Sequence, residues 1–149
     1  MKPILLFLLA LLPVAVSAQN LRKEKFSRGP WENEIGYAQA VRVGDTLHVS
    51  GSVGTGPMPV ALASAMNEIK QTLAAYGLDF HHVVKETIYT TDIEALKAAK
   101  EVRKTYYGTD FPTATWVQVA RLFNPEHVIE VEVTAVFPEH ATPAPEAKK

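Results

Sequence analysis

Two glutamates are the first candidates for chemistry: Glu130 and Glu132 sit two apart in Val128-Ile129-Glu130-Val131-Glu132-Val133-Thr134-Ala135-Val136. The alternation writes a β-strand with Ile129, Val131, Val133 and Ala135 on one face and both carboxylates on the other, roughly 6.5–7 Å apart along the chain. Two roles fit this spacing. One is a solvated polar face; the other is a partly buried acid with a raised pKa that works as a general acid/base or orients a water molecule. Spacing alone does not choose between them. Just upstream, Phe111-Pro112-Thr113-Ala114-Thr115-Trp116-Val117-Gln118-Val119-Ala120-Arg121-Leu122 carries a second strand pattern.

Other reactive side chains form no recognisable constellation. His81 and His82 are adjacent and diverge in an extended chain, while His48, His127 and His140 are scattered, with no HExxH or Cys/His spacing, so no metal is expected. There is no cysteine, hence no disulfide framework, thiol nucleophile or thiolate ligand. Ser50-Gly51-Ser52 lacks a nucleophile elbow and reads as a strand end whose small residues let a ligand approach the backbone. Trp31, Trp116, Tyr106 and Tyr107 read as core or interface aromatics, because no dense basic block accompanies them. The 149-residue chain carries net charge −1, which argues against nucleic acid as a partner.

The elements that must position these residues occupy a chain of single-domain length. Met1-Lys2, the apolar run Ile4 to Val16 and Val16-Ser17-Ala18 read as a secretory signal peptide, residues 1–18, cleaved before Gln19. The run is too short for a membrane anchor and contains Pro13, so a secreted or periplasmic protein free of the membrane is expected. Polar residues 19–25 and the Pro/Ala/Glu/Lys-rich residues 138–149 read as a flexible N-terminal segment and a disordered tail, leaving residues 26–137 as the domain.

Within that domain, Tyr37 to Val43 and Thr46 to Val53 read as strands joined by a Gly44-Asp45 turn. Leu62, Met66, Ile69, Leu73 and Tyr76 form one face of a helix that Gly77 ends. Val83 to Thr91 is a strand, and Asp92 caps a second helix carrying Leu96, Ala99, Val102 and Tyr106 and ended by Gly108. Trp116 to Leu122 and Val128 to Phe137 supply the last strands, across an Asn124-Pro125 turn. The order predicts an α+β domain with two helices on one face of a mixed sheet. The other face, part apolar and part charged, suits a subunit interface that contains a site.

Gly36-Tyr37-Ala38-Gln39-Ala40-Val41, Gly44-Asp45-Thr46-Leu47-His48-Val49-Ser50-Gly51, Val83-Val84-Lys85-Glu86-Thr87, Thr91-Asp92 and Pro112 through Val136 together resemble the RidA (YjgF-like) imine deaminase family. The resemblance covers Gly36 to Val136. It implies a chorismate-mutase-like α+β fold, a homotrimer, small-molecule clefts between subunits, and hydrolysis of 2-imino acids or their enamine tautomers without metal or organic cofactor. Position by position, it implies Glu130 as the residue that handles the hydrolytic water, with Tyr37, Ser50 and Gly51 lining the ligand site.

Three implied site positions depart from the family pattern. Ala114 stands where the resemblance implies a carboxylate-binding arginine, Trp116 where a small side chain or cysteine is usual, and Lys100 where an asparagine is common. Losing a charge-assisted hydrogen bond costs about 1.5–3 kcal/mol, roughly 10- to 150-fold in carboxylate affinity. Lysine is a flexible point charge and not an equivalent fork. The expectation is thus an exported RidA-like homotrimer that binds a small metabolite between subunits, with family-type deaminase activity weak, altered or absent. The alternatives are an active imine or enamine deaminase of changed substrate range, and a non-catalytic trimeric binding or chaperone-like module.

Overall fold

The computed structural model describes residues 22–138. The expected signal peptide (1–18), residues 19–21 and residues 139–149 of the expected tail lie outside the described residues.

The chain runs β1 (Lys23–Phe26), α1 (Trp31–Ile35), β2 (Ala40–Val43), β3 (Thr46–Thr55), α2 (Met58–Ala75), a 3-10 turn (Phe80–His82), β4 (Val83–Thr90), α3 (Ile93–Ala98), α4 (Lys100–Tyr107), β5 (Thr113–Gln118) and β6 (His127–Val136). Six strands form one mixed sheet in the order β1-β2-β3-β6-β4-β5. The α+β expectation holds. Val43 pairs with Thr46 across Gly44-Asp45, and Gly44 takes the positive φ of 59° that this tight reversal requires.

Apolar stripes explain where the helices lie. Leu62, Met66, Ile69 and Leu73 of α2 are fully buried, as their 3.6-residue spacing predicts, and α2 packs on β3 and β6. At Gly54 an added Cβ would fall 2.1 Å from the Ala61 carbonyl oxygen, so only glycine lets α2 sit this close to β3. Across the sheet, Ile129, Val131, Val133 and Ala135 all point into the core. The other face of β6 carries Glu130, Glu132 and Thr134, each partly exposed.

Four local expectations change. Residues 19–25 were expected to be a tail, but Lys23–Lys25 belong to β1, which pairs antiparallel with β2. The strand expected from Tyr37 begins at Ala40, because Tyr37 follows directly on α1, whose C-cap Gly36 has φ 94°. The second helix is broken at Ala99 into α3 and α4, and its buried stripe is Leu96, Ala99, Arg103 and Tyr107, with Val102 and Tyr106 only partly buried. The strand expected over Trp116 to Leu122 is β5, Thr113–Gln118, which runs parallel to β4 through the α3–α4 crossover. Among the described residues it is therefore an edge strand, and β4 separates it from β6.

Candidate functional site

Strand β3 carries one residue more than β6 between Val49, opposite Val133, and Ser52, opposite Val131. The extra residue makes a bulge at Ser50-Gly51, a device that re-aims side chains beside it. Ser50 is tied down twice: its amide donates to the Gln39 carbonyl at 2.9 Å and its hydroxyl donates to the Ala38 carbonyl at 2.7 Å. These bonds draw the Tyr37-Ala38-Gln39 segment onto the bulge. Tyr37 itself is 38% exposed.

Gly51 makes room for Glu130. A Cβ at Gly51 would lie 1.9 Å from Glu130 Oε1 and 2.7 Å from its Cδ, so the carboxylate rests against the bulge backbone. Burial there raises the pKa of Glu130; nearby His127 works against the shift and Glu132 adds to it. The phenol of Tyr89, register partner of Glu130, is also raised, chiefly by Glu132, with partial burial and Glu130 contributing. The pair Glu130–Glu132 is thus asymmetric, and Glu130 is the one pressed into low-dielectric surroundings. Beside it, a cleft of about 420 Å³ opens over His48, Lys85, Thr87, Glu132 and Thr134. Glu130 lies outside that lining.

Strand register separates the other expected site residues from this group. Glu86 pairs with Ala114 and Ile88 with Trp116, and both β4 residues are fully buried on the helix side. Ala114 and Trp116 therefore face the helices, whereas Thr87 and Tyr89, partners of Glu132 and Glu130, face the other way. Within one chain the Tyr37–Ser50–Gly51–Glu130 group and the Ala114–Trp116 pair occupy opposite faces. Lys100, first residue of α4, is exposed and makes no hydrogen bond or ion pair among the described residues. Arg121 is engaged with the carbonyls of Leu122 and Phe123.

Sequence reasoning missed the polar cluster beneath Trp116. Glu86, fully buried, accepts from Arg103 Nε at 2.7 Å and Trp116 Nε1 at 3.3 Å on one oxygen, and from the Tyr107 hydroxyl at 2.9 Å on the other. Burial first, and then Glu86, pushes the Tyr107 phenol up. The signal was present: Glu86 is in phase with Ile88 and Thr90 on β4, and a carboxylate at a core position demands buried donors. Among the described residues no group of three or more His, Asp or Glu side chains is arranged to hold a metal ion.

Residues 31–137 match the family model described as Endoribonuclease L-PSP. A human protein named 2-iminobutanoate/2-iminopropanoate deaminase is 34% identical over 109 residues, spanning 67% of this chain and 79% of its own length. Protein DfrA of Myxococcus xanthus is 33% identical over 111 residues, spanning 67% of this chain and 84% of its own. Among solved structures, a member of the YjgF/YER057c/UK114 family from Mycobacterium tuberculosis superposes with a TM-score of 0.72 at 30% identity, covering 77% of this chain and 99% of its own. A YjgF-family protein from Neisseria meningitidis gives 0.70 at 25% identity, covering 80% and 98%.

Proposed function

Because this chain belongs to the RidA (YjgF-like) family, we propose that it hydrolyses small imines or enamines, with Glu130 handling the proton of the attacking water. The observation that carries the reading is the half-buried Glu130 carboxyl, held against Gly51 with a raised pKa. Its ionised form takes a proton as water oxygen bonds to the imine carbon. The same proton then goes to the nitrogen to give a carbinolamine, and passage of the carbinolamine hydroxyl proton to the amine nitrogen lets the C–N bond break, leaving a carbonyl and ammonia. Relatives named as 2-iminobutanoate/2-iminopropanoate deaminases support this reaction class.

Turnover of the short 2-imino acids is slow in this reading, since Ala114 provides no guanidinium for their carboxylate. The working unit is a homotrimer in which the Glu130 face of one subunit meets the β5 edge of the next. The opposite-facing groups within one chain support this arrangement; the apolar run and small residues before Gln19 support export as the setting in which it acts. The test is to supply 2-iminopropanoate generated in situ by an amino-acid oxidase and follow its decay. Glu130→Gln is expected to lower the enzymatic rate about 10²- to 10⁴-fold. An unchanged rate in that variant sinks the assignment.

A further inference from the structure

Arg103 is 7% exposed, yet only part of its guanidinium is engaged. Nε donates to Glu86 Oε1 at 2.7 Å, and the two terminal nitrogens have no hydrogen-bond partner among the described residues. A purely structural pair would turn the fork side-on to the carboxylate and use two parallel bonds. Here Trp116 Nε1 shares Oε1 with Arg103 Nε and the Tyr107 hydroxyl donates to Oε2, and no second Arg103–Glu86 bond forms. The four N–H groups of the two terminal nitrogens are left over, on atoms that still reach solvent.

The surroundings of that fork are aromatic on several sides. The guanidinium carbon is 4.6 Å from the Tyr107 ring centre, 5.6 Å from that of Phe111 and 5.6 Å from that of Trp116. On the same face of the sheet, Ala114 pairs with Glu86 and contributes only a methyl group at an exposed position of the edge strand. Phe111 is 48% exposed. Ala114, the rings of Phe111 and Trp116, and the unbonded N–H groups of Arg103 thus gather on the helix side of the sheet at β5.

We infer that this grouping forms a notch that binds a carboxylate through Arg103, with an aromatic side chain of the same ligand stacked on Phe111 and Trp116. Resting on the hydrolase reading above, the inference names the substrate class: 2-imino acids with aromatic side chains, in preference to short aliphatic ones. The guanidinium resides on α4 and not at the strand position occupied by Ala114, so it lies deeper. A ligand reaching it has more apolar surface to cover, which an aromatic group supplies and a methyl group does not. Glu86 offsets the charge of Arg103, so carboxylate recognition rests on directed hydrogen bonds more than on net attraction.

The probes are 2-oxo-3-phenylpropanoate and 2-oxopropanoate, product analogues that differ in the aromatic group. They are titrated against Trp116 fluorescence in a Trp31→Phe background, where Trp116 is the remaining tryptophan. The aromatic acid is expected to bind at least about ten-fold more tightly. Arg103→Met is expected to weaken it about ten-fold or more. Since Arg103→Met strands Glu86, two controls keep the fold: Ala114→Leu fills the notch with the ion pair intact, and Glu86→Gln/Arg103→Met removes both charges. Each is expected to lose the same preference while melting cooperatively. Equal affinity for the two acids, or binding indifferent to Arg103 and Ala114, overturns the notch even if imine turnover persists. Arg103-dependent binding without any imine turnover upholds the notch and removes only the hydrolase reading.

Discussion

Glu130 and Glu86 are both strand glutamates, and they differ in what the fold gives them. Glu86 is enclosed with three donors, so removing it leaves Arg103 as an uncompensated buried cation. Glu86→Ala is expected to cost about 3–5 kcal/mol in urea denaturation, whereas Glu86→Gln/Arg103→Met stays much closer to wild type. Glu130 has burial without matching donors, and its pKa rises. Its native state therefore holds the proton more tightly than the unfolded chain does. That contribution is complete below the unfolded pKa and is lost as pH climbs through the raised folded value. Glu130→Gln, a mimic of the protonated acid, is expected to be more stable than wild type near about pH 8 and indistinguishable near about pH 3 by denaturant titration. Alternation in the sequence put both β6 glutamates on one face. It could not rank them, because the ranking comes from a glycine on another strand.

At the scale of elements, β3 contains two glycines under different constraints. Gly54 faces the Ala61 backbone, which cannot yield without lifting α2 from the sheet, so Gly54→Ala is expected to cost about 1–3 kcal/mol or more in thermal or urea unfolding. Gly51 faces the tip of Glu130, a side chain that can swing away. Gly51→Ala is expected to cost less stability than Gly54→Ala but to lower imine turnover at least about ten-fold, with the pH–rate limb shifted toward an ordinary carboxylate. Helix α2 and the Gly44 turn were legible because each follows from local periodicity or one backbone dihedral. The position of β5 was not: Asn124-Pro125 announces a reversal of the chain, but a turn does not say which strands pair. Likewise the sequence pattern runs through Val102 and Tyr106, whereas the buried stripe of α4 includes Arg103, whose charge is met by Glu86 on β4.

For the whole molecule, family membership fixes the α+β architecture, while the Glu130 group and the Ala114–Trp116 pair lie on opposite faces of one chain. If the reading of a shared cleft is right, light scattering of the chain lacking residues 1–18 will report three subunits at micromolar concentration, with imine turnover falling as the assembly dissociates on dilution. A monomer that retains full turnover would falsify the shared cleft. Resemblance across Gly36 to Val136 made the fold legible in the sequence and pointed to Glu130 as a candidate. It left Arg103 unseen, because a side chain arriving from a helix is invisible to a comparison made along the strand.

Strand β5 is bonded to β4 on one side and, among the described residues, to no other strand, so along the opposite side alternate backbone N–H and C=O groups of Thr113–Gln118 have no strand partner there. Amide exchange should therefore follow a two-residue rhythm there, fast where the N–H points outward and slow where it bonds to β4. Any subunit or ligand that covers this margin will slow the fast positions and leave the others as they were. The strand thus carries its own gauge of occupancy, read one amide at a time.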